Sequence, residues 1–310
     1  MTLTQLRTFA AVARAGSVVA AAAGLHVTQP AVSSALRALE RSLGVALVEP
    51  DGRGVRLTAA GEVFAGYVHR LLGLLEEAEL AARGGSDPGR GRLRLAAVTT
   101  ASEHVLPRSL ALFRRTFPAV EVTLEVGTKA QVWQWMADHG VDVALAGRPP
   151  GVEDLWVRAV RENVLVVVAA PGFVPLLATG DPVGLEALGD TTWLLREPGS
   201  GTRETQTAML AASEVEPPTL TLGSNGAVVA GAVAGLGVTL MSRDAVAPDL
   251  TAGTLEVVQV AATPVARPWH LVTRRAVTPT AALFVNHLLD AAVGHPEPRF
   301  VPATHGRGPV

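Results

Sequence analysis

The chain has 310 residues, of which 48% are hydrophobic and 17% are charged, and this composition excludes a disordered protein. It contains no cysteine, which excludes disulfides, thiolate metal sites and cysteine nucleophiles, and no apolar run approaches the roughly 18 residues of a membrane-spanning helix. The net charge is -2, but residues 1–60 hold six arginines against three carboxylates, so only this basic N-terminal part is suited to a polyanion.

Residues 1–60 predict three helices followed by a hairpin. Apolar spacing indicates helices over 3–15 and 18–24, and Thr28 is a typical N-cap for a third helix that ends at Gly44. One face of the third helix is apolar, and the other carries Gln29, Ser33, Ser34 and Arg37. Strands at 45–48 and 54–57 with a turn at 50–52 predict a wing that has Arg53 at its tip. This order of elements is typical of a winged helix-turn-helix.

A long helix is predicted from Thr58 to about Arg83. Its apolar residues repeat at coiled-coil spacing and predict a dimerisation seam of Phe64, Val68, Leu71, Leu75 and Ala78. An ordinary helix packed on its own domain is the alternative. Residues 84–89 are rich in glycine and predict a hinge.

Beyond the hinge, strand and helix patterns alternate. Strands are predicted at 92–98, 121–126, 141–146, 164–169, 192–195, 219–222, 238–241, 255–260 and 269–273, and helices at 102–117, 129–139, 202–213, 224–235 and 279–293. The alternation predicts an α/β fold of mostly parallel sheets with helices on both faces. The tail over 295–310, rich in proline and glycine, is predicted to be disordered.

Several turns between a strand and a helix carry hydroxyl or amide groups, where α/β proteins bind ligands. Together with nearby arginines they predict a site for a carboxylate or a phosphate, made of Thr99, Thr100, Ser102, Thr128, Arg148, Arg196, Ser200, Thr202, Arg203 and Asn225. The alternative is that each serine or threonine is only a helix N-cap.

Enzymatic patterns are not found in the sequence. No two histidines have the spacing of a zinc-binding helix, and Gly199-Ser200-Gly201 lacks the pattern of a nucleophile elbow. We therefore expect no catalytic residue, metal or cofactor. Residues 18–25 resemble a signal segment only faintly, so we expect a cytoplasmic protein without membrane contact.

Residues 3–65 resemble the LysR-type bacterial transcriptional regulators in the order and spacing of their motifs. The matching residues are Leu6-Arg7-Thr8-Phe9, Gly16-Ser17, Ala21-Ala22, Leu25, Val27-Thr28-Gln29-Pro30-Ala31-Val32-Ser33, Leu36, Leu39-Glu40, Leu43-Gly44, Leu47, Gly52-Arg53, Leu57-Thr58 and Ala60-Gly61. The chain departs from the family at Ser34 and Pro50, where arginine is usual, and at Val48, where phenylalanine is usual. Two cations that are common in the family are therefore missing.

The resemblance implies an α/β protein with an N-terminal winged helix-turn-helix, a long linker helix and a two-lobed effector domain like a periplasmic binding protein. The implied domains are 1–58 for DNA binding, 59–91 for dimerisation and hinge, and 92–294 for the effector. Lobe I would take 92–163 and 266–294 and lobe II 164–265, with the chain crossing between them near 160–165 and 262–269.

The resemblance also implies what each part contacts. The third helix would enter the major groove of promoter or operator DNA with partial dyad symmetry, using Thr28, Gln29, Pro30, Ser33, Ser34 and Arg37, while Arg53 enters the minor groove. The partners would be a second copy in a homodimer or homotetramer, a small effector, and RNA polymerase. A solute-binding module whose head serves only in oligomerisation is the alternative.

The effector domain resembles one branch of this family in three loops. Gly147-Arg148-Pro149-Pro150, Arg196-Glu197-Pro198-Gly199-Ser200-Gly201-Thr202-Arg203 and Gly223-Ser224-Asn225 look like the regulators of carbon-fixation (Calvin cycle) operons. Members of that branch respond to phosphorylated sugars, phosphoenolpyruvate or nicotinamide dinucleotides. The resemblance therefore implies a small anionic effector, either a carboxylate or a phosphorylated metabolite.

Overall fold

The computed structural model describes residues 1–52, 54–84, 87–151, 154–174, 182–261, 263–290 and 299–303. Contacts divide the chain into a first unit, Met1–Arg83 with Ala137–Gly140, and a second unit formed by the remainder. No helix in the described ranges combines the length and the apolar character that crossing a bilayer requires.

The first unit begins with a head of three short helices and a hairpin. Its elements are α1 (Leu3–Ala15), α2 (Val18–Leu25), α3 (Gln29–Leu43), β1 (Val48–Asp51), β2 (Gly54–Leu57) and α4 (Ala59–Gly84). The core of the head contains Phe9 and Leu39, which are fully buried. Gly61 lies so close to the carbonyl oxygen of Leu47 that a side chain at 61 would collide with it, so the start of α4 is fixed against the wing.

The wing differs from its predicted form. The predicted turn at 50–52 is wrong because β1 continues through Pro50 and Asp51, and Gly52 takes the left-handed conformation with φ +55°. Pro50 is tolerated there because a two-stranded hairpin has only edge strands. Arg53, the predicted wing tip, lies outside the described residues.

The second unit alternates strands and helices. Its elements are β3 (Arg92–Val98), α5 (Thr99–His104), α6 (Leu106–Thr116), β4 (Glu121–Gly127), α7 (Lys129–Ala137), β5 (Val143–Ala146), β6 (Leu155–Arg161), β7 (Val164–Ala169), β8 (Trp193–Leu195), α8 (Gly201–Ala212), β9 (Thr219–Thr221), α9 (Asn225–Val233), β10 (Thr239–Ser242), α10 (Arg243–Ala252), β11 (Glu256–Val258), β12 (Val265–Ala266), β13 (Trp269–Arg274), α11 (Pro279–Asp290) and β14 (Phe300–Pro302).

These elements form two lobes. Lobe I has a six-stranded sheet of order β14-β6-β13-β5-β3-β4, and lobe II is built around β7, which pairs with β10, β11 and β12. Each lobe has an apolar core on both faces of its sheet. The chain passes between the lobes at 162–163, between β6 and β7, and at 267–268, between β12 and β13.

The expectation of mostly parallel sheets is wrong. β3 pairs in parallel with β4 and β5, but β6, β13 and β14 are antiparallel to their neighbours, as are the three partners of β7. The two crossings explain the difference for every pair except β14 with β6. β7 and β13 each enter a sheet directly from the other lobe, without the crossover helix that would return them parallel to their neighbours.

Four elements of the second unit are absent from the prediction, namely β6, α10, β12 and β14, and one predicted helix is divided. Apolar and polar residues do not alternate cleanly in the sequence of β6, because the apolar Trp156 and Val160 lie between its buried residues. The helix α10 contains Pro248, which suggests a loop in sequence. The predicted helix 102–117 consists of α5 and α6, because Pro107 in the first turn of α6 lacks the N–H that a continuous helix needs.

The predicted disorder of the tail is wrong at residues 300–302. β14 pairs antiparallel with β6, from Phe300 beside Arg161 to Pro302 beside Ala159. Phe300 is 6% exposed and belongs to the core of lobe I. Apolar burial therefore holds this piece against the sheet edge despite the proline and glycine content around it.

Candidate functional site

The helix α3 presents a polar face on the surface of the head. Thr28 caps the helix, its hydroxyl accepting a hydrogen bond from the amide of Ala31 at 3.4 Å. Gln29, Pro30, Ser34 and Arg37 are exposed and Ser33 is half-buried, so the predicted residues 28–37 lie together on one helix. The opposite face, with Val32, Leu36 and Leu39, is buried in the head. This amphipathic arrangement leaves the polar side chains of α3 on the surface, and an α-helix is an element that the major groove of DNA admits.

The predicted dimerisation seam on α4 is wrong at Val68, which lies in the core of the head. Val68 is 2% exposed in the head core, and the Phe64 ring lies 5.4 Å from that of Phe9. Val68 is therefore not available to a second copy, and Phe64 is half-buried against the head. Among the α4 side chains that the structure describes, the large exposed apolar residues form a stripe that shares only Leu71 with the predicted seam, namely Val63, Tyr67, Leu71 and Leu74. Leu71 and Ala78 of the predicted seam are exposed and Leu75 is half-buried.

A cleft that is open to solvent lies between the two lobes of the second unit. The walls come from six segments of the chain, and the lining residues are Val98, Thr99, Thr100, Gly127, Thr128, Lys129, Gly147, Asn163, Leu165, Arg196, Glu197, Gly199, Ser200, Gly201, Thr202, Arg267 and Trp269. Both lobes and both crossings therefore contribute residues to the cleft.

The N-termini of two helices meet in this cleft. Thr128 caps α7 of lobe I, its hydroxyl accepting from the amide of Gln131 at 3.3 Å, and Ser200 caps α8 of lobe II. Gly199 has φ +85°, and a side chain placed there would come within 3.3 Å of the Thr128 methyl group. Glycine thus lets the two capped ends approach closely. The first amides of each helix lack partners within the helix and carry the positive end of the helix dipole.

Two cations of the cleft stand out by their lack of partners. The side chains of Lys129 and Arg267 form no hydrogen bond or ion pair within the described ranges. Lys129 is the first residue of α7, and Arg267 lies at the second crossing, with its guanidinium facing Gly201 of α8. Both positive charges are therefore open to an anion in the cleft.

Arg196 differs from these two cations because its charge is already paired. Its guanidinium donates to both carboxylate oxygens of Glu197, at 2.6 and 2.7 Å, and to the side-chain oxygen of Asn225. Burial alone would raise the pKa of Glu197, but the hydrogen bond from Arg196 and the charges of Arg196 and Arg203 hold it below its ordinary value. Arg196 therefore organises the wall rather than supplying a free charge.

Six of the ten predicted ligand residues line the cleft, namely Thr99, Thr100, Thr128, Arg196, Ser200 and Thr202. The other four, Ser102, Arg148, Arg203 and Asn225, do not. The Ser102 hydroxyl donates to the carbonyl of Thr99, and Arg203 donates to the carbonyl of Arg196. Of the hydroxyls, Thr128 and Ser200 cap helices, as the alternative anticipates, and the same two residues also line the cleft.

The sequence prediction missed the two open cations and the residues of the crossings. Lys129 is the only lysine of the chain and directly follows a predicted ligand, a signal that was available in the sequence. Arg267 and Asn163 carry no such signal. The Asn163 amide donates to the carbonyl of Arg267 at 2.8 Å and joins the two crossings, a relation that only the fold reveals. Within the described ranges no cluster of histidine and carboxylate groups is suited to a metal ion.

Comparison with known proteins finds two family models that match the chain. Residues 3–62 match the bacterial regulatory helix-turn-helix protein, lysR family, and residues 86–293 match the LysR substrate binding domain. A RuBisCO operon transcriptional regulator of Acidithiobacillus ferrooxidans is 34% identical over 296 residues, which covers 94% of each chain.

Two solved structures are also similar. Full-length CbnR, crystallised with its target DNA, has a TM-score of 0.65 and 26% identity, over 94% of this chain and 100% of that chain. The regulatory domain of CcmR from Synechocystis PCC6803 in complex with 2-PG has a TM-score of 0.59 and 28% identity, over 66% of this chain and 98% of that chain. The similarity thus extends over both the head and the two-lobed body.

Proposed function

Because this chain belongs to the LysR family of bacterial transcriptional regulators, we propose that a small anionic metabolite in the interlobe cleft controls how its head acts on operator DNA. As a member of this family it is a DNA-binding regulator with an effector-binding domain. We assign DNA binding to 1–58, dimerisation to 59–91 and ligand binding to 92–294.

The polar face of α3 supports the assignment of the DNA contacts. Gln29 has the amide that pairs with an adenine edge, and Arg37 the guanidinium that binds a guanine or a phosphate. Both side chains are exposed, although the Arg37 Nε also donates to the carbonyl of Ser33 at 3.2 Å. Thr28, Pro30, Ser33 and Ser34 complete the surface, and Arg53 stays assigned to the minor groove from its place in the sequence. We place the protein in the cytoplasm, because bacterial operators lie there.

The exposed stripe on α4 supports pairing with a second copy. Val63 and Tyr67 are more than 60% exposed, and Leu71 and Leu74 about half. Such a row is unusual on a free surface and suits a helix that packs against another helix. We assign the homo-oligomer to this stripe, and a pair of heads so joined would read an operator with partial dyad symmetry. RNA polymerase remains a proposed partner from the family resemblance alone.

The anionic character of the ligand rests on one observation above all. Lys129 and Arg267, both without partners in the described ranges, line the cleft where the N-termini of α7 and α8 meet. Four positive features thus converge on one space, while Glu197 is neutralised by Arg196. This environment favours a phosphate or carboxylate. The name of the RuBisCO operon relative and the complex of CcmR with 2-PG favour the same class of ligand. We therefore assign to the cleft a phosphorylated metabolite linked to carbon fixation.

The solute-binding alternative is not favoured. A helix-turn-helix that served only in oligomerisation has no need of an exposed polar recognition face. The match of residues 3–62 to a regulatory helix-turn-helix family also opposes it.

Calorimetric titration of the full chain tests the ligand class. The probes are 2-PG, phosphoenolpyruvate and inorganic phosphate, with glucose as the neutral control and ethanolamine, which has no carboxylate, as the cationic control. We expect only the anions to bind. Lys129→Ala combined with Arg267→Ala should weaken binding of the best anion by about 100-fold, or about tenfold for each charge-assisted hydrogen bond.

The matched control removes two positive charges elsewhere on the same lobe. Arg114→Ala with Arg115→Ala, both exposed at the end of α6, should leave anion binding unchanged. If the two double variants bind alike, or if glucose binds as well as the anions, the assignment of the cleft cations is wrong.

A further inference from the structure

Asn225 lies at the junction of the two lobes, and its amide contacts both. It is the first residue of α9 in lobe II and is 2% exposed. Its Nδ2 donates to the Glu103 carboxylate at 2.7 Å and to the Thr100 hydroxyl at 3.2 Å, and both of these residues belong to α5 of lobe I. Its oxygen accepts from Arg196 of lobe II. One side chain therefore joins a carboxylate of one lobe to a guanidinium of the other.

The chemistry of this junction requires an amide. Asparagine offers a donor and an acceptor on one planar group, and here the donor faces an acid while the acceptor faces a cation. The two neighbours fix the orientation of the amide, because the reverse orientation would place two donors and two acceptors against each other. An aspartate of the same shape would set its second oxygen against Glu103.

The junction is also linked to the cleft. Thr100 lines the cleft and bonds to Asn225, and Arg196 lines the cleft and bonds to Asn225 from the other side. The amide itself has no free polar atom with which to contact a ligand. A molecule that approaches Thr100 or Arg196 thus acts on a group whose hydrogen bonds hold the lobes together.

We propose that Asn225 is a positioning residue that ties lobe II to α5 of lobe I and so sets how readily the cleft closes on its ligand. This inference rests on the proposed function for its consequence, since the ligand is the anion assigned to the cleft. The tie itself exists without ligand and is measurable in the free protein. Breaking it favours the open cleft, and the ligand then binds more weakly because part of its binding energy must close the lobes.

Hydrogen exchange of the ligand-free full chain tests the tie directly. In Asn225→Asp, like charges at 103 and 225 repel, and we expect the peptides covering 99–106 and 223–230 to exchange about tenfold faster than in the unaltered protein. Asn286→Asp makes the same change at an exposed position on α11 and should leave both peptides unaffected.

A second variant distinguishes the tie from simple packing. In Glu103→Gln combined with Asn225→Asp, the new glutamine donates to the new aspartate, which still accepts from Arg196. We expect exchange to return to within about twofold of the original. Packing damage would persist in this double variant, because it restores no contact other than the hydrogen bond. Glu103→Ala, on a half-exposed side chain, should accelerate exchange without a risk to folding.

Titration with 2-PG gives the consequence for the ligand. Affinity should fall about tenfold in Asn225→Asp and recover in the double variant. Unchanged exchange in Asn225→Asp, or exchange that stays fast in the double variant, would overturn the tie. If exchange behaves as expected but no anion binds to any variant, the tie stands and the proposed ligand class is the part that fails.

Discussion

The polar face of α3 and the interlobe cleft present their functional groups in opposite ways. The face of α3 is a stretch of nine residues on one helix, and most of its side chains are exposed and free to adapt. The cleft gathers side chains from six segments between residues 98 and 269, and several are held by bonds to one another. An adaptable surface suits a partner as large and repetitive as DNA, whereas a fixed cavity suits one small molecule.

The two regions also differ in their supporting cores. The head is stabilised by its own cluster around Phe9 and Leu39, while the lobes have separate clusters on both faces of their sheets. Damage to one region should therefore leave the other intact. The predictions below test that independence and the roles assigned to each region.

The largest expected effect follows from Val68→Asp. Val68 is 2% exposed in the head core, and an unpaired carboxylate there costs several kcal/mol, enough to unfold a marginally stable head. DNA binding should disappear, while titration with 2-PG gives the affinity of the unaltered protein. Loss of ligand binding in this variant would mean that the two regions do not fold independently.

Leu71→Asp is the matched control one helical turn further along α4. Leu71 is 47% exposed, so the head should keep its melting temperature. Sedimentation should instead report a smaller assembly, because the charge lies on the stripe assigned to pairing. If the size of the assembly is unchanged, the oligomer contact lies on another surface.

A smaller effect is expected for Gln29→Ala. A base contact contributes about 1–3 kcal/mol of discrimination, so the preference for the operator over a scrambled duplex should fall by roughly 5- to 150-fold. Arg37→Ala should instead weaken both duplexes alike and lower the salt slope by about 1 if it contacts phosphate. Anisotropy titrations at several salt concentrations separate the two roles. Gln29 is not a base reader if the preference survives its removal.

The smallest effect concerns pH. Burial lowers the pKa values of His270 and His287, so both stay neutral in the fold at a pH where a histidine of the unfolded chain, with a pKa of about 6.5, takes up a proton. The unfolded state then binds more protons, and stability should decline as the pH falls below about 6.5.

Thermal melts between pH 7.5 and 5 measure this decline. His270→Gln with His287→Phe should reduce the loss in Tm by a few degrees, and the exposed His69→Gln should not. The phenylalanine keeps the edge contact with Phe113, whose ring lies 5.4 Å from that of His287. An identical pH slope in the double variant would assign the acid sensitivity to other groups.

The head was largely readable from sequence because its signals are local. Thr28, Gly16 and Gly44 cap helices where the pattern predicted, and the family resemblance and the two-lobed α/β class are confirmed by the comparisons. The dimerisation seam failed for a physical reason. Coiled-coil spacing marks an apolar stripe but does not say what covers it, and the head itself buries Val68 and half-buries Phe64.

The cleft was only partly readable because its chemistry depends on distant contacts. The hydroxyls of strand-to-helix turns pointed to loops that line the cleft, yet Asn225 and Arg203 are occupied by bonds to other residues of the protein. Arg267 matters only because the second crossing brings it opposite α8, 66 positions away from Gly201 in the chain. β14 was missed since composition hid the single buried phenylalanine that fixes it.

The most direct test of the central claim is an anisotropy titration of the full chain on the duplex upstream of its own gene. A scrambled duplex is the control, and both are measured with and without 2-PG and in the Lys129→Ala, Arg267→Ala double variant. We predict that the native duplex binds at least tenfold more tightly, that affinity falls with salt, and that 2-PG shifts the curve only when both cations are present. Equal affinity for the two duplexes, or a ligand shift that survives loss of both cations, would contradict the account.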